Sequence, residues 1–396
     1  MDNRLIITKQ KNYIISSFFE GKDMVQINME QEETETLLGN IYLGKVKNIV
    51  KNINAAFVEL SGGVMAYLSL NENKNPIFAN AKKNTLIQIG DEIIVQVLKE
   101  NIKTKAPVVT TNLNITGKYV VLTRGKTNLS LSSKIQNESE RKRLKNILLD
   151  YQNEEYGIIM RTNAEYAKKE FIQKEISNLI AIYDNIRTYG IHKDRFSLLF
   201  QAPPGYICDI RDGFSGNLDE IITDDKDIME EMTVYLTNYQ AEDLQKLRFY
   251  EDELLSLSSL HGIQTKLEKA LQEKVWLKSG GYLVIQPTEA LVVIDVNTGK
   301  AVAGKKQVQE TFFKMNQEAA IEIARQIRLR NLSGIIIVDF IDMESDDNKN
   351  ELMNELEKLL KRDPTKTVVV DMTALGLVEI TRKKVRKPLH EQYKGV

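Results

Sequence analysis

Two short apolar runs that each end in a carboxylate constrain the fold of this chain more than any other feature. The first runs from Ala290 to Asp295, and the second runs from Gly334 to Asp339, with Asp342 three residues further on. Runs this short and this rich in Val and Ile are typical of β-strands buried on both faces. The sequence therefore predicts a layered α/β unit whose strands end in acidic side chains.

Two carboxylates at the ends of neighbouring strands repel each other unless a cation neutralises the pair. Asn297 follows Asp295 by two residues, and hard divalent cations prefer carboxylate and amide oxygens. The simplest interpretation is a divalent cation held by Asp295 and Asp339 with the Asn297 amide beside it. The alternative is that both aspartates only cap turns or helices where their strands end.

Composition limits the remaining possibilities. The chain has 396 residues, enough for two to four domains, and its net charge of −1 gives no overall basic field for nucleic acid. Cys208 is the only cysteine, which excludes an internal disulfide and a Cys-rich zinc site within this chain. Because no apolar run approaches membrane-spanning length and no signal pattern opens the chain, we expect no membrane segment and a cytoplasmic location.

The order of the patterns predicts several domains. Residues 1–35 alternate as short strands that join a later segment, and residues 36–119 form short strands with Gly-marked turns, as in an OB-fold barrel. Residues 120–215 mix strands and helices. Residues 216–278 predict a strand and then helices, one of them running from Gln264 through Trp276 to Leu277. Residues 279–396 predict the layered α/β unit, with a further buried strand at 367–372.

Three smaller features are candidate contacts to nucleic acid. Phe57 and Tyr67 lie on adjacent predicted strands of the barrel, where a base could stack on the rings while Lys105 meets phosphate; equally, both rings could fill the barrel core. Arg161 and Thr162 end a predicted strand and could bind a phosphate, although a surface Arg is the commoner explanation. The basic run from Arg382 to Lys387 is usually a solvated face, but it could grip a phosphate backbone.

An ordered set of motifs resembles the ribonuclease E/G family along nearly the whole chain. The similar segments are Gly39–Lys45, Asn54–Val58, Ser279–Gly281, Thr288–Leu291, Ile294–Asn297, Glu318–Arg330 and Val338–Met343. The individual motifs are much less specific than their order.

The resemblance implies an α/β multidomain fold. An S1-type OB-fold barrel at 36–119 is inserted in an RNase H-like subdomain made of residues 1–35 and 216–278. A 5′-sensor α+β subdomain follows at 120–215, and a DNase I-like α/β catalytic subdomain occupies residues 279–396. A short catalytic core of this kind is closer to the ribonuclease G side of the family than to the long-tailed E side.

The resemblance also implies an activity, namely Mg²⁺-dependent cleavage of single-stranded, AU-rich RNA, with Mn²⁺ as a substitute. By this similarity Asp295 and Asp339 are the metal ligands, and Asn297 helps to orient the metal site and the scissile phosphate. Hydrolysis would then leave a 5′-phosphate and a 3′-hydroxyl. None of the three histidines falls in the acidic stretch, which disfavours metal-free cleavage.

The same resemblance assigns RNA-contacting residues. Arg161 and Thr162 match a pocket that senses the RNA 5′-monophosphate, and Lys366 stands where the family has a basic residue near that pocket. Residues 129–134 align with the wall of the pocket but read Leu-Ser-Leu-Ser-Ser-Lys rather than a Gly-rich turn. The RNA-clamping positions of the barrel are matched by Phe57, Tyr67 and Lys105.

One departure concerns assembly. Many members carry a Cys-x-x-Cys link through which paired chains share zinc, whereas this chain has no cysteine after Cys208. We therefore expect a homo-oligomer without that link and no structural Zn²⁺ in this chain. Two rival functions stay open: a non-catalytic OB-fold RNA-binding or ribosome-associated factor, and a DNA-directed phosphodiesterase.

Overall fold

A computed structural model describes residues 2–32, 36–80, 82, 85–100, 106–213, 218–299 and 308–393. The chain divides into two compact units. The first comprises residues 1–33, 213–234 and 242–396, and the second comprises residues 34–212 and 235–241.

The strands of the described part are β1 (Asn3–Gln10), β2 (Tyr13–Glu20), β3 (Asp23–Gln31), β4 (Ile41–Val50), β5 (Ala55–Glu59), β6 (Met65–Ser69), β7 (Glu92–Lys99), β8 (Val108–Thr110), β9 (Asn114–Thr116), β10 (Val120–Arg124), β11 (Leu129–Leu131), β12 (Tyr156–Met160), β13 (Leu198–Phe200), β14 (Glu220–Thr223), β15 (Leu247–Phe249), β16 (Lys274–Trp276), β17 (Tyr282–Pro287), β18 (Leu291–Asn297), β19 (Gly334–Asp339), β20 (Thr367–Met372) and β21 (Leu377–Arg382).

The α-helices of the described part are α1 (Glu138–Leu149), α2 (Lys169–Tyr189), α3 (Gly205–Asp212), α4 (Lys226–Tyr239), α5 (Leu257–His261), α6 (Ile263–Leu271), α7 (Val308–Leu329), α8 (Asp346–Lys361) and α9 (Leu389–Gln392). Among them, none combines the length and the apolar character needed to cross a lipid bilayer.

A six-stranded sheet in the first unit carries both acidic strand ends. Its order is β16-β17-β18-β19-β21-β20, and β18 and β19 run parallel to each other. Side chains at alternate positions of β18 and β19, such as Ile294 and Val338, enter a core with Ile323 of α7 and Leu356 of α8. The helix pattern explains this packing, because apolar residues spaced three or four apart form one face of each helix.

The opposite face of this sheet, here called the open face, corrects two predictions. Burial alternates along β18 and β19, so these strands are not buried on both faces. Ile335 is 50% exposed on the open face. The predicted buried strand at 367–372 is β20 at the sheet edge, where Val368 and Val370 are 43% and 55% exposed. Apolar composition alone does not state how many faces are covered.

A second sheet in the first unit joins distant parts of the chain. Its order is β15-β14-β1-β2-β3, and β1 pairs in parallel with β14 from Arg4 to Ile7. Its core includes Ile6 and Phe19 together with Leu257 and Leu267 from α5 and α6. The predicted helix through Trp276 is wrong at its end, because α6 stops at Leu271 and residues Lys274–Trp276 pair with β17 instead.

The second unit contains a closed barrel. Strands β4, β5, β6, β8 and β7 pair in that order, and β7 pairs back onto β4. The barrel core holds alternate side chains such as Ala56, Val58, Ala66 and Leu68. Strand β13, from residues 198–200, pairs with the other edge of β4.

The rest of the second unit is an α+β layer. The sheet order is β11-β12-β10-β9, and helices α1 and α2 pack against it. Leu144, Ile147 and Leu148 are the buried residues of α1, which confirms the predicted apolar face of a highly charged helix. Asn137 caps α1 by accepting hydrogen bonds from the backbone N–H groups of Ser139 and Glu140.

Candidate active site

The two predicted metal ligands lie opposite each other in register. Asp295 of β18 pairs with Asp339 of the parallel neighbour β19. Partners in register on adjacent strands point to the same side, and the strands are about 4.8 Å apart. The side chains therefore share the open face, where Asp339 is exposed and Asp295 is half-buried.

Asn297 contacts the first of these carboxylates directly. Its side-chain Nδ2 donates a hydrogen bond of 2.6 Å to Oδ2 of Asp295. The turn before β17 packs closely on this strand end, because a Cβ on Gly281 would lie 2.8 Å from the Asn297 carbonyl oxygen and 2.6 Å from Met315. Glu318 of α7 accepts a 2.6 Å bond from the backbone N–H of Lys278 and so fixes that turn.

The loop after β19 brings a third carboxylate near the pair. Desolvation raises the pKa of Asp339 above its ordinary value, and the negative charges of Asp295 and Asp342 raise it further. The loop is held by Asn316, a fully buried residue of α7, which donates to the Ile341 carbonyl at 2.7 Å and accepts from the Ile341 N–H at 3.0 Å. The sequence pattern places Asp342 three residues after Asp339 but does not indicate a role for it.

The Asp295 and Asp339 carboxylates fit a hard cation that takes only one or two ligands from the protein. Within the described ranges, no group of three or more His, Cys, Asp or Glu side chains is arranged to hold a metal ion. Mg²⁺ needs only one or two carboxylates because it retains several waters. Desolvation is the main cause of the raised pKa of Asp339, and a divalent cation between the carboxylates would offset the added repulsion from Asp295 and Asp342.

The second candidate pocket, in the other unit, is built around Arg161. This residue follows β12, and its Nη1 donates to the Gly117 carbonyl at 2.6 Å and lies 2.8 Å from Oδ1 of Asp212. Thr162 Oγ1 is 3.3 Å from Ser132 Oγ, so the 129–134 segment does lie beside the strand end. Thr162 therefore contacts the 129–134 segment, the predicted wall of the 5′-phosphate pocket. The Arg161 guanidinium, however, already pairs with the Asp212 carboxylate.

Asp212 was missed by sequence reasoning. Burial would raise its pKa, but the guanidinium groups of Arg211 and Arg161 outweigh that effect and lower the pKa of this carboxyl. Arg211 Nε also donates to Oδ1 of Asp212 at 3.0 Å. No local pattern marks Asp212, since it lies about fifty residues from Arg161 in the chain.

Glu175 supports the same region from α2. Its carboxylate accepts hydrogen bonds of 2.7 to 2.8 Å from the backbone N–H groups of Lys118, Tyr119 and Val120. A Cβ on Gly117 would lie 2.4 Å from this carboxylate, so a larger residue at 117 would have to displace the Glu175 side chain from its three N–H donors. Lys366 belongs to the first unit, where it is the residue before β20.

The aromatic pair of the barrel lies outside the barrel core. Phe57 and Tyr67 are register partners on β5 and β6, with ring centroids 6.2 Å apart in an edge-to-face arrangement. Their flanking residues point inward, so both rings share the outer surface and are half-buried. Lys105 lies outside the described residues.

The basic run from Arg382 to Lys387 contains both buried and exposed side chains. Arg382 is buried, and its Nε donates to Oδ2 of Asp363 at 2.7 Å, while Nη1 donates to Oδ1 of Asn331 at 2.7 Å. For this residue the expectation of a solvated face is wrong, because the last position of β21 alternates into the core. Lys383 and Lys384 are exposed.

Comparison with known proteins decides the family. The model of the Ribonuclease E/G family matches residues 114–385, and the model of the S1 RNA binding domain matches residues 37–112. The chain belongs to the ribonuclease E/G family. It is an endoribonuclease, a hydrolase that acts on RNA, and the S1 match supports RNA binding by the barrel.

Individual relatives agree with this assignment. The chain is 33% identical to Ribonuclease G of Salmonella typhimurium over 382 residues, which are 94% of this chain and 78% of that protein. It is 32% identical to Ribonuclease G of Haemophilus influenzae over 92% of this chain and 76% of that protein. Ribonuclease E of Synechocystis sp. is 30% identical over 98% of this chain, which spans 58% of that longer protein.

Proposed function

We propose that this endoribonuclease hydrolyses single-stranded, AU-rich RNA with the help of Mg²⁺, leaving a 5′-phosphate and a 3′-hydroxyl. The observation that carries the proposal is the register pairing of Asp295 with Asp339 on the open face of the sheet. In this proposal the protein acts in RNA processing and decay in the cytoplasm, and Mn²⁺ can replace Mg²⁺.

The chain's own residues prepare the site. Asp295 and Asp339 would hold the cation, and Asn297 fixes the orientation of the Asp295 carboxylate through its 2.6 Å hydrogen bond. When bound, Mg²⁺ polarises a phosphoryl oxygen and lowers the pKa of a coordinated water. The buried amide of Asn316 holds the loop that follows Asp339, so that the acidic edge is rigid before RNA arrives.

The remaining assigned residues bind RNA in this proposal. Phe57 and Tyr67 stack bases on the S1-type barrel, and Lys105 contacts the backbone. Arg161 and Thr162 recognise a 5′-monophosphate, since Arg can fork onto a phosphate while Thr adds a hydrogen bond. Lys366, a residue of the first unit, is a further proposed phosphate contact. The half-buried rings on the outer surface of the barrel and the position of Arg161 beside Thr162 after β12 support these roles.

The domain division is part of the same proposal. Residues 1–35 and 216–278 form the RNase H-like subdomain, 36–119 the OB-fold barrel, 120–215 the 5′-sensor and 279–396 the DNase I-like catalytic subdomain. The chain assembles as a homo-oligomer without a Cys-based zinc link.

The test is cleavage of a 5′-monophosphorylated, AU-rich oligonucleotide with Mg²⁺ or with EDTA. We expect scission only with the metal, and we expect Asp295→Asn and Asp339→Asn each to abolish it while RNA binding in EDTA is kept. Asp347→Asn is the matched control, because that exposed carboxylate lies on α8, which packs on the opposite face of the sheet.

Two outcomes would overturn the proposal. Cleavage at the parent rate by both active-site variants in Mg²⁺ would remove the metal assignment. RNA binding without any metal-dependent scission would favour a non-catalytic RNA-binding or ribosome-associated factor, and equal cleavage of the matching DNA would favour a DNA-directed phosphodiesterase.

A further inference from the structure

An exposed aromatic cluster lies on the same face of the sheet as the acidic pair. Trp276 of the edge strand β16 is 65% exposed, and it is the register partner of Tyr282 on β17. Their ring centroids are 5.3 Å apart at an interplanar angle of 61°. A large apolar side chain this exposed contributes little to the core and is more typical of a binding surface.

A cation completes this cluster. Lys274 Nζ lies 4.1 Å from the ring centroid of Trp276 and 3.5 Å from that of Tyr282. Within the part of the chain that the structure describes, no carboxylate forms an ion pair with Lys274. A positive charge beside two rings is the combination with which proteins bind single-stranded nucleic acid, where the rings stack on bases and the charge meets phosphate.

The sheet register fixes the cluster relative to the acidic pair. Tyr282 pairs with Asn297, and Lys274 pairs with Val284, which in turn pairs with Asp295. These side chains therefore share the open face. Since neighbouring strands are about 4.8 Å apart, β16 lies roughly 10 Å from β18, within reach of a nucleotide next to the one being cut.

We propose that Trp276, supported by Tyr282 and Lys274, is a stacking platform for a nucleobase adjacent to the scissile phosphate. The base lies against the exposed side of the indole, and the Lys274 ammonium neutralises the neighbouring backbone phosphate. The inference rests on the proposed location of catalysis at Asp295 and Asp339. It assigns an RNA-binding role to an edge strand whose sequence pattern predicts a helix.

The chain offers a direct optical test, because Trp276 is its only tryptophan. A stacked base quenches indole emission, so we expect a single-stranded RNA oligonucleotide in EDTA to quench the fluorescence of the full chain with saturation. Trp276→Ala should weaken binding about tenfold, and Trp276→Phe should keep most of the affinity. The control is Phe249→Ala, which removes an exposed aromatic from the edge strand β15 of the other sheet.

An abasic scan then identifies the stacked position. Each oligonucleotide in this set lacks the base at one position. At one of these positions the missing base should weaken binding to the parent protein but should not weaken binding to Trp276→Ala. Non-additivity of this kind reports a direct contact rather than a general loss of structure. Circular dichroism and thermal melting of each variant check that it is folded.

The outcomes separate this inference from the proposed catalysis. Unchanged emission on RNA binding, together with parent affinity of Trp276→Ala, would overturn the platform even if Asp295→Asn abolishes cleavage. Quenching and a matching abasic position would support the platform even if cleavage were independent of Mg²⁺. A fall in light-scattering mass for Trp276→Ala with unchanged RNA affinity would instead assign the cluster to contact with a second copy of the chain.

Discussion

The side-chain amide of Asn297 donates a 2.6 Å hydrogen bond to Oδ2 of Asp295, two residues earlier in the same strand. Both side chains point to the open face because the strand period is two. The Asp295 carboxylate is therefore oriented by Asn297 of the same strand, without help from another element.

This bond predicts the effect of Asn297→Ala. We expect the cleavage rate and the apparent Mg²⁺ affinity to fall by about ten- to a hundredfold, because residues that orient a metal ligand typically have effects of that size. The measurement is a Mg²⁺ titration of cleavage. Thr298→Ala alters the next side chain and should leave the titration curve in place; a parent-like curve for Asn297→Ala would contradict the role.

The Arg161–Asp212 ion pair predicts a competition for phosphate. Asp212→Asn keeps an acceptor for the guanidinium but removes the charge that an incoming 5′-phosphate must displace. We expect the ratio of the cleavage rate of 5′-monophosphate RNA to that of 5′-hydroxyl RNA to rise severalfold in this variant. The reason is that the 5′-phosphate no longer competes with the Asp212 carboxylate for Arg161. In Arg161→Ala the ratio should fall towards unity. Equal ratios in all three proteins would argue against a phosphate pocket here.

The outward rings of the barrel predict a loss of RNA affinity. Removing one stacking ring by Phe57→Ala or Tyr67→Ala should weaken binding about five- to a hundredfold, the range measured for base stacking on aromatic side chains. Because no charge is removed, the salt dependence of binding should keep its slope. Fluorescence anisotropy at several salt concentrations measures both. Ile53→Ala, at another exposed apolar position near β5, is the control.

The ion pair between Arg382 and Asp363 predicts a large stability effect. The two side chains are 4% and 3% exposed, so removal of one partner leaves an unpaired buried charge. Asp363→Ala should lower the free energy of unfolding by about 3–5 kcal/mol. Urea denaturation gives the value. The double variant with Arg382→Met should lose less than the sum of the two single variants, and strict additivity would show that the residues do not interact.

Glu175 predicts a pH dependence of stability. Burial raises the pKa of this carboxyl above its ordinary value of 4.5, in spite of the N–H donors of Val120, Tyr119 and Lys118. The folded state therefore holds the proton more tightly than the unfolded chain. The contribution of Glu175 to the free energy of unfolding should therefore fall as the pH rises. The fall should begin near the pKa of this carboxyl in the unfolded chain and be complete above its raised pKa in the folded protein. Urea unfolding at several pH values should show a flatter curve for Glu175→Gln; parallel curves would contradict the shift.

The sequence by itself determined the parts of this protein that are local. Short Val- and Ile-rich runs predicted the two strands that carry Asp295 and Asp339, although the first continues to Asn297. The helical spacing of Leu144, Ile147 and Leu148 predicted the buried face of α1. The ordered motifs were sufficient to identify the ribonuclease E/G family. A single sequence carries this information because backbone geometry sets the spacing of apolar residues in a helix or a strand.

Only the tertiary structure decided which faces are covered. Periodicity states which side chains share a face, but whether that face is buried depends on elements that are distant in the chain. For this reason β18 and β19 are open on one side, Arg382 lies in the core, and Phe57 and Tyr67 lie outside the barrel. The same physics placed Trp276 on a strand, since pairing with Tyr282 outweighs the local helical pattern.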